Sequence, residues 1–406
     1  MTLTLTGKLA NLAKNHGNKI LFASAFLVFV TIIGITKLKV ENSFINYFKE
    51  KTEIYQGMKL IDEKLGGTTP MDIVVNFEES IIENNENASV SDDAELGLED
   101  DFFDLVSDTD INTEDYWFTS TKIKKIEKIH NYLESLPEIG KVLSLTSLIR
   151  VAEDLNEGKE FDPFELNVIY KKLPEKLKTN VVDPYISIEN NEARINLRIL
   201  DSSKDLRRKE LIERIKYDFQ NKLNLNKEQF QIAGVLVLYN NMLQSLFDSQ
   251  IKTLAFVMLG IAIMFVILFR SLTLSIIGII PNFIAAVSIL GIMGLLKLPL
   301  DMMTITIASI TIGIAVDNSI HYIYRFREEF KKSNSYNETI DKCHMSVGRA
   351  IFNTSVTIIF GFSILVLSNF IPTIYFGIFT GLAMLIAMLA VLTLLPKLIL
   401  VIKPFK

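Results

Sequence analysis

The residues best suited to chemistry lie in one apolar run, Met302–Ile323, with the sequence MMTITIASITIGIAVDNSIHYI. Asp317 stands about 15 residues into it, roughly 22 Å along a helix at 1.5 Å per residue. A carboxylate at that depth costs about 2.5–3.5 kcal/mol on insertion scales. Desolvation favours its neutral form, so such a group is suited to taking up and releasing a proton. Ser309, Gly313, Asp317 and His321 follow at i, i+4 spacing and share one helical face. Ser309 and Gly313 are small, which lets another helix approach closely at the relay. His321 belongs to the residue type that titrates near neutral pH. Asn318 and Tyr322 lie on the flanking faces. The chemistry is a proton relay carried by Asp317, His321 and Asn318. The plainer alternative makes Asp317 a hydrogen-bonding residue of the bundle and His321 an interfacial one.

A relay of this kind needs a membrane bundle around it. Apolar stretches long enough to cross a bilayer are expected at Ile20–Thr36, Ile251–Phe269, Leu272–Leu296, Met302–Ile323, Ala350–Asn369 and Ile374–Val401. The first has a basic flank, residues 1–19, but no small-residue cleavage pattern, so an uncleaved anchor is expected. The plan is one helix, a large polar domain over 41–250, then a five-helix bundle over 251–402. The breaks that carry Lys8, Lys14 and Lys19, Arg270, the loop 324–349 with Arg325, Arg327, Lys331, Lys332, Lys342 and Arg349, and the tail with Lys403 and Lys406 all fall on one side. By the Lys/Arg bias that side is cytoplasmic, and with it both termini. A bacterial inner membrane is the expected location, with residues 41–250 periplasmic. Lys37, Lys39 and Lys252 fall on the minority side.

Charge separates the two parts. Residues 41–250 hold 41 of the 47 acids and 25 of the 42 Lys and Arg, a net charge of −16. An acidic domain offers no footprint for nucleic acid. Its pattern is mixed α/β: strands at Met71–Phe77, Lys141–Leu145, Tyr185–Ile188, Arg194–Leu200 and Phe230–Ala233, and amphipathic helices at Ile123–Leu136 and Leu206–Leu223. Without its insertions this is β-α-β-β-α-β, a ferredoxin-like split βαβ unit. One insertion, 82–117, carries 13 acids and no Lys or Arg, and reads as a solvated loop. The other, 147–178, is helical.

Enzymatic readings find no support. No P-loop, H-E-x-x-H or G-x-S-x-G is present, and four His and one Cys form no cluster with metal-ligand spacing. No cofactor and no metal are expected.

The stretch GIAVDNSIHYIYRFREEF, Gly313–Phe330, resembles the fourth-helix signature of the resistance–nodulation–division (RND) superfamily, in its MMPL-like exporter branch. Leu268–Val287, Leu298–Ile310 and Ser346–Phe362 resemble neighbouring segments of that family in the same order. The resemblance implies six transmembrane helices, an outward ferredoxin-like porter domain, and secondary active transport driven by protons. Hydrophobic or lipid-like molecules are the implied substrates. Family members usually contain this unit twice, and here it occurs once, most like the second repeat. The chain therefore reads as a half-size transporter that pairs with a second copy or paralogous half, or as a fragment of a longer protein. A second departure is Asn318, where many relatives have an acid or a tyrosine. A membrane assembly factor of the Sec-associated type, or a lipid- or sterol-sensing relative, is the alternative function.

Overall fold

A computed structural model describes residues 5–38, 43–77, 117–203, 206–298, 300–301 and 303–405. The acidic insertion lies outside these apart from Trp117. The chain opens with α1 (Leu5–Asn15) and α2 (Gly17–Ile35), and α3 (Glu53–Lys64) follows. Then come β1 (Thr69–Asn76), α4 (Ser120–Glu134), β2 (Ile139–Leu143), α5 (Leu145–Leu155), α6 (Pro163–Lys172), β3 (Ile186–Ser187), β4 (Glu192–Ile199), α7 (Arg208–Asn221) and β5 (Phe230–Ala233). The remainder is helical: α8 (Val235–Phe269), α9 (Leu272–Leu295), α10 (Ile307–Ser333), α11 (Tyr336–Met345), α12 (Val347–Ser363), α13 (Ile371–Leu389) and α14 (Leu395–Ile402). The chain divides into two compact units, 58–239 and a helical unit formed by 1–57 with 240–406.

In the first unit the strands form an antiparallel sheet of order β2-β4-β1-β5, with β3 added to β4. Alternation places Met71, Ile73 and Val75 of β1, and Ile195, Leu197 and Ile199 of β4, on one buried face. Ile126, Ile129 and Leu133 of α4, and Leu211, Ile215 and Phe219 of α7, complete the core. Their i, i+3, i+4 spacing is what gives each helix one apolar side. Buried Asp62 ties the approach to β1 to the exit from β4, accepting from Thr68 N, Thr68 Oγ1, Asp201 N and Ser202 N at 2.7–3.0 Å. Burial pushes its carboxyl up, but these donors outweigh burial and hold it below the usual carboxylate range.

In the helical unit, five helices are long and apolar enough to cross a membrane among the described residues: Gly17–Ile35, Val235–Phe269, Leu272–Leu295, Val347–Leu367 and Ile371–Ile402. The fourth expected span, Met302–Ile323, is not among them. Its helix forms and runs through Ser333, but Asp317, Asn318, Ser319 and His321 reduce its apolar character. Other boundaries also differ. The span expected from Ile251 belongs to a helix that starts at Val235, because Asn240, Asn241, Asp248 and Gln250 mask an early helical start. The last span contains a π-helical turn, Ala390–Leu394, just before Pro396.

The backbones of α2 and α9 come into direct contact. A Cβ added at Gly34 would overlap the Gly291 carbonyl, and one at Gly291 would lie 2.5 Å from the Thr31 Cα. The two backbones touch because both residues lack side chains.

Two predictions follow from these cores. Gly291→Leu should destabilise the helical unit by about 1–3 kcal/mol through overpacking. Gly313→Leu should cost far less, since nothing lies within 4 Å of a Cβ there. Thermal unfolding of the two variants in detergent checks the contrast. In the sheet unit, Nδ1 of buried His130 is hydrogen-bonded to the Ser144 hydroxyl at 2.9 Å, and Ser144 caps α5. Both side chains are sealed, so the pair is a structural cap. Burial first, and the Arg150 charge second, hold His130 below its ordinary 6.5. The folded state therefore binds fewer protons than the unfolded chain. Its stabilisation is complete above about pH 6.5 and is lost as pH falls towards the lower folded value. Hydrogen exchange in α4, corrected for intrinsic rates, should accelerate below that pH, and His130→Gln should remove the step.

Candidate functional site

The site is built on α10. Asp301 starts it: its Oδ1 accepts from Met303 N, Thr304 N and Thr304 Oγ1 at 2.7–2.9 Å, capping the 3₁₀ turn Thr304–Thr306 that leads into the helix. From there the helix presents two faces of different character. Ala308, Thr311, Ile312, Ala315, Ser319, Tyr322 and Phe326 are buried within the helical unit. Gly313, Asp317 and His321 are exposed and share the opposite face. Asn318 is half-buried on its flank.

The expected four-residue face thus divides. Asp317 and His321 come together on an uncovered strip one turn apart, with Gly313 open beside them. Ser309, one turn before Gly313, is half-buried and donates to Gln250 Oε1 of α8 at 3.1 Å. That pair stands beside a small apolar cleft of about 40 Å³ lined by Phe247, Ile251, Leu254, Leu290, Leu300 and Ile305. Among the described residues nothing lies within 4 Å of a Cβ at Gly313.

The covered face holds polar contacts that were not evident from the sequence. Asn282 of α9 is 1% exposed, next to Pro281 inside the helix. Its Nδ2 donates to Ser319 Oγ at 3.0 Å and to Gly278 O at 3.0 Å, and Ser319 Oγ returns a bond to Asn282 Oδ1 at 3.3 Å. Four residues beyond Asn318, the Tyr322 hydroxyl meets Nδ1 of His344 on α11 at 3.2 Å. Successive helical residues are about 100° apart, so Ser319 points about 200° from Asp317 and Tyr322 about 140° from it. These inward contacts fix the rotation that turns Asp317 outward. The available sequence signal was Asn282 itself, a polar side chain in an otherwise apolar span.

The sequence profile of the MMPL family matches residues 50–405. The chain belongs to the MMPL family. That places it in the RND superfamily, as the Gly313–Phe330 signature implied. MMPL membership is also consistent with a relative in Methanocaldococcus jannaschii, MJ1562, whose name places it among membrane proteins. The two are 36% identical over 154 residues, 38% of this chain and 40% of that relative. The match spans less than half of either protein. Within this MMPL chain, α10 carries Asp317, the one Asp in the six segments expected from the sequence to be spans.

A double-mutant cycle on Asn282→Ala and Ser319→Ala should give a coupling of about 0.6–1.7 kcal/mol, the range for interhelical hydrogen bonds in membranes. Either single change should cost at least as much, because it leaves the other polar group buried and unpaired. Denaturant titration in mixed micelles supplies the four free energies.

Proposed function

We propose that this chain is a half-size unit, or a fragment, of a proton-motive-force-driven RND-type exporter of hydrophobic or lipid-like molecules. In this reading α10 is the fourth of six spans, both termini and the loop 324–349 are cytoplasmic, and 41–250 is an outward porter-like domain. The sheet order β2-β4-β1-β5, with α4 and α7 in the connections, supports the ferredoxin-like assignment of that domain.

The observation that carries the reading is the uncovered strip of Gly313, Asp317 and His321. Facing lipid, an ionised carboxylate would be strongly disfavoured, whereas a neutral one is tolerated. A second copy or a paralogous half laid on this strip removes the conflict. It also creates a closed polar site in which Asp317 takes up and releases a proton, with His321 and Asn318 beside it.

Two outcomes are expected. Asp317→Asn keeps shape and hydrogen bonding but removes titration, and should lower acid-driven proton flux in reconstituted vesicles at least ten-fold, with insertion unchanged. His321→Gln should do less and mainly move the pH dependence. Flux at the wild-type rate in Asp317→Asn would make Asp317 structural. Gly313→Cys should crosslink two copies in native membranes, and a crosslink-free, fully active monomer would exclude the paired arrangement.

A further inference from the structure

We propose that His344 is a positioning residue that latches α10 to the last span, holding Tyr322 while neutral and releasing it when protonated. The argument begins with proline chemistry. In the last span the Leu392 carbonyl faces Pro396 four residues on, and proline has no N–H to give it. The π-helical turn Ala390–Leu394 lies at that interruption. His344 Nε2 meets the Leu392 carbonyl at 2.8 Å. Nδ1 also lies near a carbonyl, that of Ile340 at 3.0 Å, and a neutral ring has one hydrogen for the two; assigned to Nε2, the nitrogen with the shorter contact, it leaves Nδ1 presenting its lone pair. That lone pair faces the Tyr322 hydroxyl at 3.2 Å. One sealed ring thereby joins three elements: α10 through Tyr322, its own helix α11, and the last span through Leu392.

Protonation changes the contact's sign. With both nitrogens bearing hydrogen, Nδ1–H has an acceptor already in place, the Ile340 carbonyl at 3.0 Å. Tyr322 can then no longer donate to the ring. It must either turn a lone pair to Nδ1–H, which leaves its own proton without an acceptor in a fully buried site, or move away. Each option weakens the hold on α10, on the face opposite Asp317. The charged and titratable groups around the ring are few. Asp341 and Cys343 belong to its own helix, Tyr322 comes from α10, and Lys14 comes from α1, where it pairs with Asp341 at 2.6 Å. Gly348 of α12 brings only its backbone near the His344 Cβ. Burial keeps the ring below the ordinary histidine range, and the contacts to Leu392 and Ile340 oppose that only in part.

The inference stands on the hydrogen-bond chemistry of the loop helix, and its test does not use transport. The chain has only four histidines, so ring nitrogens labelled with ¹⁵N can be resolved in the full-length protein. His344 should show the Nε2–H tautomer at neutral pH. Tyr322→Phe removes a donor to the neutral form and should raise its midpoint by about 0.5 to 1 pH unit. A thiol placed by Tyr324→Cys, exposed on α10, should label several-fold faster as pH falls through that midpoint, relative to the same thiol in the denatured chain. His344→Gln, which keeps a donor and an acceptor but does not titrate, should abolish the step. An Nδ1–H tautomer, a midpoint unmoved by Tyr322→Phe, or labelling without a step would overturn the proposal. If His344→Gln does not fold, the Tyr322→Phe midpoint decides. Full proton flux in Asp317→Asn would defeat the transport reading and leave these results intact.

Discussion

The architecture around the candidate site depends on the rotation of α10. A helix that carries one carboxylate in an apolar bundle must choose which way that group points, and neither lipid nor a dry core accepts it ionised. Here the choice is made from the other side. Ser319 exchanges hydrogen bonds with Asn282, and Tyr322 reaches His344, so two buried polar side chains are satisfied only when Asp317 faces away from the unit's own core. Apolar packing alone would not set this so firmly, because lipid and Leu are equally apolar and a helix could turn at little cost.

The neighbours of α10 are held by a different device. α9 brings Asn282 to Ser319 and is itself fixed against α2 by backbone contact at Gly34, Gly291 and Gly294. Removing side chains there gains close van der Waals contact over a long crossing, which is the main source of helix association within a bilayer. The last span contributes through its irregularity. The Leu392 carbonyl, left without an α-helical donor by Pro396, becomes an acceptor for a side chain from another element. A regular helix would have had no such carbonyl to offer.

The sheet unit follows the rules of a water-soluble domain. Its core is assembled by period-2 strands and period-3.6 helices, and two of its buried polar groups are tied in by hydrogen bonds: Asp62 takes four donors, and His130 meets Ser144. The contrast between the two units matches the composition. The charge-rich middle of the chain forms the sheet, and the apolar flanks form the helices.

The sequence by itself determined the elements. Hydropathy located the apolar helices because length and composition alone decide whether a segment can cross a bilayer, and alternation located β1, β4 and β5 within one or two residues. It also singled out Asp317, since a charge in an apolar run is conspicuous without any structure, and the Gly313–Phe330 signature pointed to the family. It misjudged the start of α8 at Val235, where polar residues hide a continuing helix, and gave no sign of α1 as a packed helix. It gave no sign of the backbone contacts within the chain at Gly34 and Gly291. Only the tertiary structure could decide those points. Which glycine is touched, which polar groups meet, and which way a helix faces depend on residues far apart in the chain: 37 positions separate Asn282 from Ser319, and 48 separate His344 from Leu392. Periodicity specifies a face, but only the neighbours that cover it specify its direction.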